Sequence, residues 1–305
     1  MKFLSLVLVL LLEQAWPLRR GNRLYDSFAR YADLLERRCN GLQASHGAIA
    51  WMLGVVPPVV VTLLVYLLLR EAHVLFAMIW SVAVLYATMG FRRFSHCFTE
   101  IAQALREQNI GLARDVLGSW RGAPADELDA AEIARVSIEL GLAQAHRHVL
   151  GPVFWFIILG PVGAVIYRAA DLLAERWGRA EPEKRVFARF AERAFFWIDW
   201  LPARITAASF AIAGNFEDAA YCWRTQAAGW GRGAEGVVLA SGAGALGVKL
   251  GGTLREDGML NQRPELGLGA NAEVEDLRGL VGLIWRALVL WLFLLLVVSL
   301  ARVLG

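Results

Sequence analysis

Charge is scarce in this 305-residue chain: 19% of residues are charged and 57% are hydrophobic, against about 25% and 45–50% in an ordinary soluble domain. That balance excludes a disordered chain, which needs low hydrophobicity and high net charge. Cysteine is nearly absent too. Cys39, Cys97 and Cys222 are isolated and odd in number, which excludes a disulfide scaffold. Neither HExxH nor CxxC occurs, and His146 and His148, two apart, would point in different directions from a helix, so histidine-bound zinc is not expected. With 31 basic and 28 acidic residues no unbalanced basic face exists, so nucleic acid is not expected as a partner. No alternating strand pattern of useful length is apparent.

What the chain has instead is long apolar runs. Residues 48–69 carry no charge and 72–91 only His73, enough for two bilayer crossings of about 20 residues joined as a hairpin, with Pro57-Pro58 kinking the first. Residues 149–167 are uncharged but interrupted by Gly151-Pro152 and Gly160-Pro161, which permits a re-entrant course. Residues 279–301 hold a single charge, Arg286. Residues 1–15 read as a retained helix, since no small-residue cleavage site follows, and 194–216 as a span holding Asp199 and Arg204 about Pro202. The expected fold is therefore all-α, a single polytopic membrane domain with the lipid bilayer as its first partner.

Between the runs, 16–47 and 92–148 hold six and seven arginines, which the positive-inside rule assigns to the cytoplasm. The rule conflicts with a simple crossing after residue 149, because 171–193 has six basic residues. Leu24, Phe28, Tyr31 and Leu35, and then Phe94, Phe98, Ile101 and Leu105, are spaced as the apolar stripes of amphipathic helices. Asp126 is the expected N-cap of a helix from about Glu127 to His148. Residues 229–278 read as a Gly-rich irregular segment. Within it Gly242–Gly247 fits G-x-G-x-x-G, but no strand precedes the run, so it reads as close backbone packing. Charges in or beside apolar segments are functional candidates: Asp199 and Arg204 first, bent toward one pocket by Pro202, then Arg168 and Lys249.

Several motifs then fall in a telling order. Gly160-Pro161-Val162-Gly163-Ala164, Tyr167-Arg168-Ala169, Leu201-Pro202-Ala203-Arg204 and Gly244 through Gly252 resemble the CobD/CbiB membrane proteins, as do Leu34-Glu36-Arg37-Arg38-Asn40 and Pro152-Val153-Phe154-Trp155. The resemblance implies a bacterial inner-membrane protein of cobalamin biosynthesis. Where activity is retained, it implies a corrinoid substrate, adenosylcobyric acid, joined to aminopropanol or its phosphate by an amide bond at the expense of ATP with Mg. It also assigns Asp199, Glu36 and Glu139 as catalytic acids, and Arg37, Arg168, Arg204 and Lys249 as substrate contacts; the metal ligands stay unknown. Several synthase motifs are degenerate: Ala143-Gln144 and Arg147-His148 stand where the family has Glu-Asn and Asp-Gly. Gly122-x-Pro124-Ala125, His146-Arg147-His148 and Ile198-Asp199-Trp200-Leu201-Pro202 resemble AmpE instead, which implies a non-catalytic module with a regulatory protein partner.

The uncharged runs predict that the chain sediments with membranes and is released by detergent. Recovery in the soluble fraction after lysis is the result that contradicts this.

Overall fold

A computed structural model describes residues 2–15, 23–39, 44–179, 185–231, 233–256 and 258–304. The chain divides into two compact units, residues 1–90 with 147–202 and residues 91–146 with 203–305. Asn40, part of one of the motifs above, lies outside the described residues.

The first unit is helical. It comprises α1 (Lys2–Ala15), α2 (Arg23–Cys39), α3 (Ala44–Ala72), α4 (Val74–Thr88), α8 (Gly151–Leu159), α9 (Pro161–Gly178) and the beginning of α10 (Arg185–Ala213). His73, extended at φ −166°, ends α3 and caps α4 by accepting from the Leu75 N–H. The Trp80 indole then donates to the Thr62 carbonyl at 3.3 Å, so the two helices pack as the expected hairpin. The core gathers Leu35, Val55, Leu173, Trp177 and Phe187, with Phe28 and Tyr31 against it, which places the stripe read on α2.

Prolines shape this unit. A proline inside a helix cannot donate to the carbonyl four residues earlier. Pro57 therefore leaves the Leu53 carbonyl, to which the Tyr31 hydroxyl donates from α2 at 2.9 Å. Pro202 leaves the Ile198 carbonyl, which takes the Trp155 indole N–H from α8 at 3.2 Å. Pro152 cannot serve the His148 carbonyl, to which the Gly90 N–H donates at 3.2 Å. The helix α3 continues through Pro57-Pro58 to Ala72, and the expected break in 149–167 falls at Gly160, where φ +70° and ψ −152° suit glycine almost alone.

The second unit contains α5 (Phe91–Arg106), α6 (Ile110–Arg121), α7 (Ala130–Ala145), the end of α10, α11 (Phe216–Thr225), α12 (Ala234–Leu246) and α13 (Asp276–Leu304), with a small sheet. Phe98, Ile101 and Leu105 are buried, as their spacing predicts. The helix expected from Glu127 starts later: Asp129, not Asp126, is its N-cap. Its side chain takes the Glu132 N–H at 2.7 Å while Glu132 takes the Asp129 N–H at 3.0 Å, a reciprocal box that Asp126 has no partner to form. The helix also ends at Ala145, and a π-helical turn, His146–Leu150, follows.

The sheet corrects the all-α expectation and the reading of 229–278 as irregular. β1 (Val248–Glu256) pairs antiparallel with β2 (Met259–Leu266) and parallel with β3 (Ala270–Asn271), in the order β2-β1-β3. Alternation was hidden because the register slips between Leu250 and Gly252, opposite Pro264, and because β2 is exposed almost throughout. Gly251, at φ +74°, fits where a Cβ would lie 1.9 Å from the Pro264 carbonyl oxygen. The G-x-G-x-x-G run lies in α12 and does serve close packing: a Cβ at Gly242 would meet Leu142 at 2.6 Å, and one at Gly244 the Asp218 carbonyl at 2.5 Å.

Among the described residues two helices, Ser45–Ala72 and Asp276–Ala301, are long and apolar enough to cross a membrane. Their most apolar windows are only 17% and 28% buried, unlike the core helix of a soluble protein.

The proline bonds generate a test. Tyr31→Phe removes the donor to Leu53 and should cost about 1 kcal/mol in detergent unfolding. In a Pro57→Ala background the new N–H serves the same carbonyl, so the Tyr31→Phe cost should shrink; an equal cost in both backgrounds contradicts the assignment.

Candidate functional site

In the first unit α9 carries polar groups in two directions, because residues three and four apart share a helix face. Tyr167 and Asp171 point into the protein, both about 1% exposed or less. The Tyr167 hydroxyl donates to Asp199 Oδ1 of α10 at 2.8 Å, and Asp199 is itself 3% exposed. A Cβ at Gly151 would lie 2.3 Å from that hydroxyl, so the glycine at the start of α8 makes room for the tyrosine.

Arg168 binds this cluster together. Its Nη1 donates to Asp171 Oδ2 at 2.6 Å and lies 2.7 Å from His148 Nδ1. A guanidinium only donates, so His148 accepts at Nδ1 and its ring proton belongs on Nε2. The preceding π-helical turn brings Arg147 and His148 here; such turns recur at functional sites. Arg147 lies over the Phe195 ring at 5.9 Å. Burial pushes the Asp171 carboxyl above the ordinary range, with Arg168 and then Arg147 pulling it back.

The outer side of α9 faces α2 across a cleft of about 430 Å³ lined by Tyr25, Phe28, Asp33, Glu36, Glu175, Arg176 and Arg179, among others. That is within the size of small-molecule sites. Arg176 grips Asp33 with two N–H groups, Nη2 to Oδ2 at 2.6 Å, and Arg179 reaches Glu175 at 2.7 Å. The Arg176 bond, helped by Arg37, holds the Asp33 carboxyl below its usual range. Tyr25 joins cleft to cluster: it lines the first and lies 5.7 Å beneath the Arg168 guanidinium.

The sequence candidates separate accordingly. Glu36 lines the cleft, Arg37 acts on Asp33 beside it, and Arg168 and Asp199 belong to the cluster behind it. Glu139 lies in the second unit as a strut: it accepts from the Gly251 N–H at 2.8 Å and from Arg263 at 2.7 and 3.1 Å, and Arg263 lies over Trp230 at 5.6 Å. Lys249 is exposed on β1 opposite Asn271, and Arg204 is half-buried on the second unit's part of α10. Sequence reasoning missed Asp33, Asp171, Glu175, Arg176 and Arg179. The signal was charge of both signs at positions 168, 171, 175, 176 and 179, mostly three or four residues apart along one helix.

ATP and Mg, which the family resemblance implies, can be tested against these groups. Among the described residues no three His, Cys, Asp or Glu side chains gather to hold a metal ion. Mg²⁺ needs only one or two protein carboxylates when phosphate and water complete its shell. Glu175, beside Arg176 and Arg179 in the cleft, would thus suit a cation that arrives with a nucleotide better than a resident ion.

Comparison with known proteins defines the class. Residues 10–284 match the family model described as CobD/Cbib protein. The "Cobalamin biosynthesis protein CobD" of Stutzerimonas stutzeri is 34% identical over 298 residues, 96% of this chain and 97% of its own length. Its namesake in Chromobacterium violaceum is 38% identical over 217 residues, 71% and 70% of the two chains, and that of Mycobacterium tuberculosis 30% identical over 208, 65% and 66%. The chain belongs to the CobD/CbiB family. No solved structure matches it.

The buried pair gives a prediction. Arg168→Ala strands the Asp171 carboxylate and should cost about 3 kcal/mol in thermal unfolding, most of which Asp171→Asn in the same chain should recover. No recovery in the double variant would show that Asp171 is not the group being compensated.

Proposed function

We propose that this protein acts in cobalamin biosynthesis as an inner-membrane, ATP-dependent amide-forming enzyme, joining aminopropanol or its phosphate to adenosylcobyric acid. The observation that carries the reading is the family match along nearly the whole chain, 34% identity over 96% of it included. The AmpE-type reading has no comparable support among these relatives. Location in the membrane is supported by the two long apolar helices, whose faces are left largely uncovered.

The cleft between α2 and α9 is the proposed reaction site. ATP with Mg²⁺, when bound, supplies the phosphoryl group that turns the corrinoid carboxylate oxygen into a leaving group. Arg176 and Arg179, aided by Arg37, face the phosphate charge, which needs guanidinium donors. An amine attacking a carboxyl carbon must shed a proton, and the ionised carboxylate of Glu36 is the base that takes it. Arg168, anchored by Asp171 and His148, fixes Tyr25 as a wall of the cleft. Asp199, bonded to Tyr167, holds the cluster behind that wall and acts through it.

A strain lacking the synthase and fed cobyric acid tests this. The wild-type gene should restore cobalamin-dependent growth, whereas Glu36→Gln, with normal protein abundance, should lower product formation about a hundredfold. Failure of the wild-type gene, expressed in the membrane, to restore growth would reject the synthase reading.

A further inference from the structure

The outward face of α10 changes character along its length. Arg189, Arg193, Phe196, Trp197 and Trp200 fall on one side of the helix at 3.6 residues per turn. All five are exposed, Trp197 at 66% and Phe196 at 40%, while Phe187, Ala191, Phe195 and Asp199 occupy the buried side. In chain order the exposed side chains run from guanidinium to aromatic, and then to Leu201, 43% exposed.

The charged end forms a groove of about 600 Å³ lined by Arg189, Glu192, Arg193, Phe196 and Trp197. The two arginines are one turn apart. Glu192 also lines the groove, with Oε1 2.8 Å from where a Cβ at Gly178 would lie, so two guanidiniums face one carboxylate there.

We propose that this face is a binding site for anionic phospholipid, with the headgroup phosphate between Arg189 and Arg193 and with Phe196, Trp197 and Trp200 seated at the boundary between headgroups and acyl chains. The inference rests on the membrane reading above. Three observations favour lipid over a protein partner. Charge complementarity is the first, since an arginine near the surface is drawn to anionic lipid. The second is the order of side chains along one axis, which follows bilayer depth: cation, then tryptophan, then aliphatic. The third is scale. From Arg193 to Trp197 the helix rises about 6 Å, the thickness of one headgroup layer. The proposal also places two of the six basic residues of 171–193, Arg189 and Arg193, at a cytoplasmic, anionic surface.

Mean hydropathy understates this face because Asp199 of the same helix points inward. Asp199 lowers the average of a stretch whose outer side has no acid beyond Glu192.

The test uses the full chain reconstituted into vesicles of phosphatidylcholine with and without phosphatidylglycerol. Spin-labelled lipids of each class report which one the protein holds at its surface. The wild type should prefer phosphatidylglycerol, and Arg189→Gln with Arg193→Gln should lower that preference about fivefold. The tryptophan emission lost in Trp197→Phe should be quenched more by lipid brominated near the headgroup than by lipid brominated near the chain end. An unchanged preference in the double variant overturns the site while leaving the membrane reading intact, and a chain that stays out of vesicles overturns both. Trp197 emission reached by no brominated lipid would mean that protein covers the face. Inorganic phosphate that abolishes the preference where chloride of equal ionic strength does not would reassign the groove to a soluble anion. Either result rejects the proposal.

Discussion

The carbonyl that a helical proline leaves behind governs the first unit. A peptide oxygen left without a partner costs about 1–3 kcal/mol where it is buried, and a proline inside a helix opens such an oxygen to a donor from another element. Tyr31 answers Pro57, and Trp155 answers Pro202. These bonds are directional and join the consecutive helices α2 and α3 and the more distant α8 and α10. They therefore fix rotation and register where apolar packing alone would tolerate sliding. The position of α2 matters most, since it carries one wall of the cleft. Tyr31 ties it to α3, while Trp177 donates to the Ala32 carbonyl at 3.2 Å and ties it to α9, the opposite wall.

On α9 the same economy appears in the charges. Its inner side chains need partners because they are buried, and its outer ones are paired because they line a cleft. Burying Asp171 is costly unless a cation accompanies it, and Arg168 supplies that cation while keeping a face toward Tyr25. An arrangement of this kind transmits position: the tilt of Tyr25 depends on Arg168, which depends on Asp171 and on the tautomer of His148. The π-helical turn adds one residue to the helical repeat just where His148 must meet Arg168. A regular helix through 146–150 would rotate every later side chain of α8 by about 100°.

Much of the architecture was legible in the sequence because it is written in apolar periodicity. The stripes on α2 and α5, the hairpin about His73 and the break at Gly160 all follow from spacing or from the backbone demands of Gly and Pro. The sheet was not legible, since its strand alternation is broken by the Gly251-Gly252 slip and β2 has almost no buried side to reveal a pattern. The site was legible in part. Glu36, Arg37, Arg168 and Asp199 could be singled out by motif or by charge in an apolar setting. Which of them share a place could not, because the cleft is made by α2 and α9, more than a hundred residues apart, and the ion pair Asp33–Arg176 has no local signature.

Glu139 shows the limit of reading chemistry from residue type. An acid kept within a family's motif region invites a catalytic role, and its position beneath a Gly-rich strand invites a phosphate nearby. Its oxygens, however, are committed to the Gly251 N–H and to the Arg263 guanidinium, bonds that hold α7 to the sheet. Gly251 donates from a left-handed backbone that only a glycine adopts easily, and its N–H points at Glu139 because of that conformation. Glycine, acid and arginine are thus one structural unit. Their joint presence in this chain follows from folding the hairpin, since each of the three satisfies a group that the strand turn and its bulge would otherwise leave unpaired.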